Sequence, residues 1–165
     1  MKTFGIVGWK NSGKTGLVER LVTEISLKGF SVSTIKHAHH TFDIDQMGKD
    51  SFRHRQAGAM EVLLSSENRW ALMHELRDSP EPNLNELLSK LSPVDLVLIE
   101  GFKNEYGLKM EAYRIENNNI PLVQSANDII ALASNTTHPN LNLPIFDLDD
   151  TSEIANFILK EVDLK

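Results

Sequence analysis

The chain has 165 residues, a length that fits one domain with one core over residues 1–165. It carries 17 Lys+Arg against 23 Asp+Glu, and a net charge of -6 argues against a protein whose main task is binding a nucleic-acid backbone. There is no cysteine, which excludes disulfides, thiolate catalysis and Cys-ligated metal sites. The N-terminal apolar stretch is too short for a signal-peptide core, and no apolar run approaches the roughly 20 residues of a membrane span. We therefore expect a soluble cytoplasmic protein without nucleic-acid or membrane partners.

A strand–helix–strand unit opens the chain. Thr3–Val7 is a short apolar run that predicts a buried strand. After a glycine-rich turn, apolar residues recur at helical spacing and predict one helix face: Leu17, Val18, Leu21, Val22 and Ile25. Gly29 is placed to end that helix, and Ser31–Ile35 predicts the next strand. Such units build parallel sheets.

The middle of the chain combines a long polar segment with a hairpin. Lys36–Asp50 has little apolar content, and a structureless loop of this length usually has a function. Asp50 is predicted to cap a short helix over Ser51–Ala57. Glu61–Leu64 and Arg69–Met73 predict two strands joined by a turn.

The second half alternates helices and strands again. Helical spacing of leucines predicts a helix over Leu84–Leu91, and Val94–Ile99 is the strongest buried-strand signal of the chain. Four more strands are predicted at Leu108–Tyr113, Ile120–Val123, Ile129–Ala133 and Leu143–Phe146. Thr151 is predicted to cap a last helix that carries Ile154 and Ile158.

The turn after the first strand carries a phosphate-binding motif. It reads Gly8-Trp9-Lys10-Asn11-Ser12-Gly13-Lys14-Thr15 and matches G-x-x-x-x-G-K-[ST], the P-loop. Its glycines let backbone N–H groups converge on a phosphate, and the helix predicted to begin at Thr15 directs its positive dipole end there. Lys14 is expected to reach the terminal phosphates as a catalytic residue, and the Thr15 hydroxyl to bind Mg²⁺. We assign these eight residues, and Gly16 through its backbone N–H, to nucleotide binding.

The motif and the element order together predict the architecture. We expect an α/β fold, a three-layer P-loop NTPase with a mostly parallel central sheet flanked by helices, plus a β-hairpin extension.

A second acid is expected to complete the Mg²⁺ site. Ligands of parallel α/β sheets lie beyond the carboxyl ends of the strands. Glu100 follows Val94–Ile99 at that end, whereas Asp95 lies at the amino end. Glu100 is therefore predicted as the catalytic and metal-side acid. Lys103 lies close behind it and is a further candidate for phosphate contact.

The second predicted strand leads into a polar cluster at the same edge of the sheet. Lys36 and His37, together with Lys49, are candidates for binding an anionic group. Two alternatives remain open for the histidines. They could lie in a solvent-exposed loop, or the following set could bind a transition metal, although it lacks i, i+4 spacing: His37, His39, His40, Asp43 and Asp45.

Several segments together resemble a known family. The P-loop, KHAHHTFDIDQMGKDSFRHRQAGA (Lys36–Ala59), RWALM (Arg69–Met73), DLVLIEGFK (Asp95–Lys103) and IIALAS (Ile129–Ser134) occur in the order seen in molybdopterin-guanine dinucleotide biosynthesis protein B, MobB. The resemblance covers essentially the whole chain. It implies a GTP-binding, slowly GTP-hydrolysing homodimer of the SIMIBI group of P-loop NTPases. It also implies that the chain assists the molybdenum cofactor guanylyltransferase, which joins molybdopterin to GMP. Direct contact with molybdopterin is left open.

The same resemblance directs attention to the end of the Ile129–Asn135 segment. Similar proteins commonly end it in Asp, whose carboxylate would accept hydrogen bonds from guanine N1–H and N2–H₂. Here the position is Asn135, which offers one acceptor and one donor. Asn135 is assigned to the base pocket, and Asn135→Asp is expected to raise the preference for GTP over ATP.

Two other functions are compatible with the same motifs. The chain could be a small-molecule kinase whose Lys36–Asp50 loop holds the phosphoryl acceptor. It could also be a nucleotide-gated adaptor without catalysis of its own. No glutamine or arginine finger can be named from the sequence, so hydrolysis is expected to be slow without a partner.

Overall fold

The computed structural model describes residues 1–38, 42–103, 105 and 107–165. They form two compact units, one from residues 1–37 and 84–165 and the other from residues 38–83. The strands are Lys2–Val7 (β1), Val32–Lys36 (β2), Glu61–Ser65 (β3), Trp70–His74 (β4), Leu96–Glu100 (β5), Lys109–Tyr113 (β6), Ile129–Ser134 (β7) and Ile145–Asp147 (β8). The α-helices are Lys14–Leu27 (α1), Asp50–Gln56 (α2), Leu84–Leu88 (α3) and Thr151–Glu161 (α4). The prediction of a single domain over 1–165 stays a prediction.

The larger unit is built on a six-stranded sheet in the order β2-β5-β1-β6-β7-β8. All of its strand pairs are parallel. Parallel sheets are covered on both faces, which explains why every residue of β5 is buried. The predicted fold is confirmed: a parallel sheet, flanking helices and a separate hairpin.

Alternate residues of β5 pack into two different cores. Leu96 and Leu98 pack with the apolar faces of α1 and α4, in a cluster that includes Leu21 and Ile158. Val97 and Ile99 pack with α3 in a smaller cluster. The period of two along the strand therefore separates the two helical layers. Truncating a fully buried leucine such as Leu98 to alanine is expected to cost about 2–5 kcal/mol.

The register of the sheet brings three strand ends together. Glu100, the last residue of β5, lies beside Lys36 at the end of β2 and beside Ile6 near the end of β1. The P-loop begins directly after β1. The edge rule for parallel sheets thus places Lys36, Glu100 and the P-loop side by side.

The smaller unit contains α2 and the antiparallel β3–β4 hairpin. Val62 and Met73 are opposite each other and buried on one face of the hairpin. Arg55 of α2 holds this unit together, because its guanidinium donates hydrogen bonds to Asp45, Asp43 and Glu75.

One predicted strand is wrong. Residues Leu122–Gln124 form a 3-10 helix instead of the strand predicted at Ile120–Val123. Pro121 cannot donate a ladder hydrogen bond, and the buried Glu111 carboxylate accepts from the N–H groups of Leu122 and Val123 at 2.9 Å each. These amides are therefore not available to a neighbouring strand.

The predicted starts of three helices need correction. The first helix begins at Lys14 rather than Thr15, with Gly13 in the left-handed conformation as its N-cap. Asp50 is the first residue of α2 and not its cap. Asp150, not Thr151, caps α4, because its carboxylate accepts from the Glu153 N–H at 3.0 Å.

Candidate functional site

The P-loop backbone adopts conformations that its glycines permit. Gly8 and Gly13 have φ values of 150° and 92°. A Cβ on Gly8 would lie 2.4 Å from the Ala112 carbonyl oxygen, so no larger residue fits between β1 and β6. With α1 starting directly behind it, the loop directs its N–H groups and the positive helix end into one concavity.

An open cavity of about 300 Å³ lies against this loop. It is lined by Asn11, Ser12, Gly13, Lys14, Thr15, Gly16 and Arg114. Ser12 is 1% exposed, and among the described residues its hydroxyl is a buried polar atom without a hydrogen-bond partner. Buried hydroxyls are normally satisfied, and an unpaired one in a phosphate loop fits a site built for a polar ligand.

The side chain of Lys14 folds back onto the P-loop backbone in this structure. Its ammonium donates to the carbonyl oxygen of Trp9 at 2.6 Å. Burial lowers the pKa of Lys14 below 10.5, and the nearby ammonium groups of Lys103 and Lys36 lower it further while Glu100 opposes them. An ammonium in such a partly desolvated, cationic surrounding is stabilised by a bound polyanion.

Thr15, Glu100 and Lys36 form a compact triangle beside the loop. The Thr15 hydroxyl donates to Glu100 Oε1 at 2.8 Å. Lys36 Nζ lies 3.3 Å from Thr15 Oγ1 and 3.3 Å from the same Glu100 oxygen. A hydroxyl and a carboxylate oxygen are the ligand types that Mg²⁺ prefers, so the donor set fits that ion. The structure brings together three residues that the sequence assigned to one site from three separate segments.

The turn after Glu100 packs against the residue that follows Lys36. Gly101 has a φ of 97°, and a Cβ there would lie 3.0 Å from His37 Cβ. The His37 N–H donates to the Glu100 carbonyl oxygen at 2.9 Å, and its ring stacks on Phe102 at 4.5 Å between centroids. Lys103, the predicted phosphate contact, has its Nζ 4.4 Å from the centroid of the Trp9 ring in the P-loop.

The remaining predicted P-loop residue, Lys10, faces the loop that follows β6. Its carbonyl oxygen accepts from the Asn117 amide at 3.1 Å, and Trp9 Nε1 donates to the Ile120 carbonyl oxygen at 2.9 Å. These bonds attach residues 114–120 to the P-loop.

Asn135 lies at the end of β7 and is bound to the same segment. Its Oδ1 accepts from the Ile115 N–H at 3.1 Å, and its Nδ2 donates to Glu116 Oε1 and Oε2 at 2.9 Å each. Both ends of its amide are therefore engaged within the protein.

Two residues of this region, Arg114 and Glu111, were not predicted from the sequence. Arg114 lines the cavity, and its Nε would lie 3.1 Å from a Cβ on Gly13. Because Arg114 follows the carboxyl end of β6, the edge rule could have identified it. Glu111 is completely buried and anchors the 3-10 helix after it, and burial raises its pKa against the effect of its two backbone hydrogen bonds. In the sequence, Glu111 could have been noticed only as a single glutamate within a predicted apolar strand.

The histidine cluster considered as a metal site is only partly within the described residues. His39 and His40 lie outside them. Among the residues that are described, no group of three or more His, Asp or Glu side chains could hold a metal ion. The described helices include none that is long and apolar enough to cross a membrane.

Comparison with known proteins decides the family. The profile of MobB, described as molybdopterin guanine dinucleotide synthesis protein B, matches residues 3–135. A molybdopterin-guanine dinucleotide biosynthesis adapter protein of Escherichia coli (strain K12) is 37% identical over 156 residues, which cover 92% of this chain and 88% of the relative. The chain belongs to the MobB family. The resemblance inferred from the sequence is thus confirmed, together with the family's role in molybdenum cofactor biosynthesis.

Other MobB relatives agree in sequence and fold. An adapter protein of the same description from Haemophilus influenzae (strain ATCC 51907 / DSM 11121 / KW20 / Rd) is 38% identical over 93% of this chain and 85% of its own length. The crystal structure of Bacillus subtilis MobB has a TM-score of 0.75 at 26% identity and covers 98% of both chains. A MobB homologue from Bacillus stearothermophilus gives 0.74 at 27% identity over 99% of both chains. The nucleotide, metal and dimer assignments stay predictions.

Proposed function

We propose that this MobB-family protein binds GTP with Mg²⁺ and serves as an accessory protein of the guanylyltransferase in molybdenum cofactor biosynthesis. The observation that carries the proposal is the cavity over the P-loop, with Lys14 and Thr15 in its lining and Glu100 hydrogen-bonded to Thr15. This combination of a backbone anion site, an ammonium and a hydroxyl–carboxylate pair matches a nucleoside triphosphate and its metal.

Each residue has a distinct task in this proposal. Backbone N–H groups from Gly8 to Gly16 hold the phosphate oxygens, and Lys14 leaves the Trp9 carbonyl to reach the terminal phosphates. Thr15 and Glu100 hold Mg²⁺, which when bound neutralises negative charge on the phosphates. Arg114, which also lines the cavity, supplies a second cation.

Hydrolysis is expected to be slow in the isolated protein. Of the described residues that line the cavity, none is a glutamine or a carboxylate that could orient an attacking water. A partner that completes the site would raise the rate. The word adapter in the names of the relatives supports a role in which nucleotide binding controls association with that partner. Direct contact with molybdopterin belongs to the same proposal.

The protein is further proposed to be a cytoplasmic homodimer. The outer face of the hairpin supports dimerisation, because Leu63, Leu72 and Trp70 lie on it and are 61%, 45% and 65% exposed. Isolated two-stranded hairpins are marginally stable in water, so an apolar outer face favours a covered state.

Calorimetric titration with GTP and Mg²⁺ tests the central claim. Lys14→Ala is expected to weaken triphosphate binding at least tenfold in a folded protein, while Lys90→Ala, an exposed lysine away from the cavity, leaves binding unchanged. Unchanged affinity in folded Lys14→Ala contradicts the proposal. Phosphate release with and without the guanylyltransferase then separates an adaptor from an enzyme, and phosphoryl transfer to a small acceptor would instead identify a kinase.

A further inference from the structure

Asn135, which the sequence assigned to base recognition, is hydrogen-bonded to a neighbouring carboxylate. Asn135 Oδ1 accepts from the Ile115 N–H, and Asn135 Nδ2 donates to both oxygens of Glu116. In this arrangement Asn135 has one free N–H at most. The Glu116 carboxylate, and not the Asn135 amide, is therefore the group beside the end of β7 that can still bind a ligand.

The carboxylate of Glu116 keeps unused acceptor capacity. An ionised carboxylate has about four acceptor positions, two on each oxygen. Asn135 Nδ2 uses one position on each oxygen at 2.9 Å. The pKa of Glu116 is lowered by the hydrogen bond from its own backbone N–H and then by the Asn135 bond, so the group is ionised at neutral pH. The backbone N–H and Asn135 together use about three of the four acceptor positions, so the exposed carboxylate keeps one for a further donor.

The position of Glu116 relative to the P-loop suits the base of a bound nucleotide. Residues 114–117 are attached to the P-loop, since Asn117 donates to the Lys10 carbonyl and Arg114 lines the phosphate cavity. β7 is two strands away from β1, which at the usual strand spacing is about 10 Å. A nucleotide whose phosphates fill the cavity extends over such a distance from its phosphates to its base, along the carboxyl edge of the sheet.

We propose that Glu116, held in place by Asn135, is the residue that recognises guanine. This inference rests on the proposed function, because it assumes that triphosphate binds at the P-loop. Guanine presents two adjacent donors, N1–H and N2–H₂. One of them takes the free acceptor position of the carboxylate, and the other shares an oxygen that already accepts a hydrogen bond. Adenine presents the acceptor N1 at the corresponding edge, where it would face a negative charge. Asn135 is a positioning residue, since it acts through Glu116.

The proposal reverses an expectation drawn from the sequence. If Asn135 read guanine directly, Asn135→Asp would improve GTP binding. In the structure the new carboxylate would face Glu116 at hydrogen-bond distance, and two like charges there repel each other. Asn135→Asp is therefore expected to weaken the preference for GTP over ATP.

Dissociation constants of GTP, ATP and XTP, each with Mg²⁺, test the inference in the wild type and in Glu116→Gln. The glutamine amide offers one acceptor and one donor, which suits xanthine because xanthine carries an oxygen at C2. We expect Glu116→Gln to lower the GTP:ATP affinity ratio about tenfold to a hundredfold and to raise the XTP:GTP ratio by a similar factor. Glu19→Gln, the same charge change on the exposed face of α1, should leave all three ratios unchanged.

The possible failures are distinguishable. If no triphosphate binds to the wild type, the proposed function fails and this inference falls with it. If GTP binds and the GTP:ATP and XTP:GTP ratios are the same in Glu116→Gln as in the wild type, the inference alone is overturned. A rise in GTP preference in Asn135→Asp would likewise overturn it, because it would assign base recognition to position 135 itself. Glu116→Ala provides a second variant and is expected to lose GTP preference without gaining XTP binding.

Discussion

The Thr15 hydroxyl donates a 2.8 Å hydrogen bond to the carboxylate of Glu100, although the two residues are 85 positions apart in the chain. The bond joins the first turn of α1, which follows β1 in the chain, to the carboxyl end of β5, the neighbour of β1 in the sheet. It identifies which acid of the Asp95–Glu100 segment faces the P-loop, and this choice can be tested by comparing the two acids.

Glu100→Gln is expected to reduce Mg²⁺-dependent phosphate release strongly, by tenfold or more, because it removes the charge beside the hydroxyl that is proposed to bind Mg²⁺. Asp95→Asn is the matched control. Asp95 accepts from the N–H and the hydroxyl of Ser31 at 2.8 and 2.6 Å, at the opposite end of the sheet. This variant should lower the melting temperature and leave phosphate release unchanged. Equal losses of activity in both variants would show that the assignment of the acid is wrong.

Lys36 is expected to compete with a metal ion for the same two oxygens. Its ammonium lies 3.3 Å from both Thr15 Oγ1 and Glu100 Oε1. Unit charges about 4 Å apart interact by about 1 kcal/mol in water, and a divalent ion doubles that repulsion. Lys36→Met should therefore raise the affinity for Mn²⁺ without nucleotide by roughly tenfold, measured by electron paramagnetic resonance. Lys103→Met, whose ammonium lies over Trp9, is the control. An unchanged Mn²⁺ affinity in Lys36→Met would contradict this prediction.

The smaller unit is expected to lose stability in acid through Asp45. A hydrogen bond from Arg55 is the main reason that the pKa of Asp45 lies below its ordinary value of 3.8. A carboxyl whose pKa is lowered by folding contributes its stability above the unfolded value and loses it as the pH falls through the folded value. The protection factors for hydrogen exchange in residues 42–83 should therefore fall below about pH 4.

Arg55→Met should remove this acid dependence and accelerate the same exchange at pH 7, because it leaves Asp45 buried without its partner. Asp43→Asn serves as the comparison, since Asp43 contacts the same guanidinium but is 67% exposed. We expect a small effect from it. Protection at pH 7 that is equal in the wild type and Arg55→Met would exclude this role of the cluster.

The elements and the position of the P-loop beside Glu100 were predictable because their signals are local. The P-loop glycines, the apolar run before Glu100 and the helical spacing of Leu17, Leu21 and Ile25 each occupy a few consecutive residues. The edge rule for parallel sheets then combined Lys36, Glu100 and the P-loop, which the register of the sheet confirms as neighbours.

The wrong strand prediction has the opposite origin, because a distant side chain decides it. Leu122 would continue an apolar strand pattern if Glu111, 11 positions earlier, did not take its N–H. The contact between Asn135 and Glu116, on which the proposed base recognition depends, is likewise made by residues 19 positions apart. Neither contact leaves a mark in local spacing or composition, so a single sequence could not reveal them.

The apolar residues on the outer face of the hairpin form an exposed stripe that is expected to determine the oligomeric state. Leu63 and Leu72 are directly opposite each other, and Trp70 lies on the same face at the turn end. The other face carries the buried pair Val62 and Met73, so the hairpin cannot turn its outer residues inward without exposing these. If a second copy covers the stripe, Leu63→Lys places a charge in an apolar interface and should raise the dimer dissociation constant at least tenfold. Leu27→Lys is the control, since Leu27 is 80% exposed at the end of α1. Sedimentation velocity over a concentration series measures both variants, and a dimer that persists unchanged in Leu63→Lys would locate the subunit contact elsewhere.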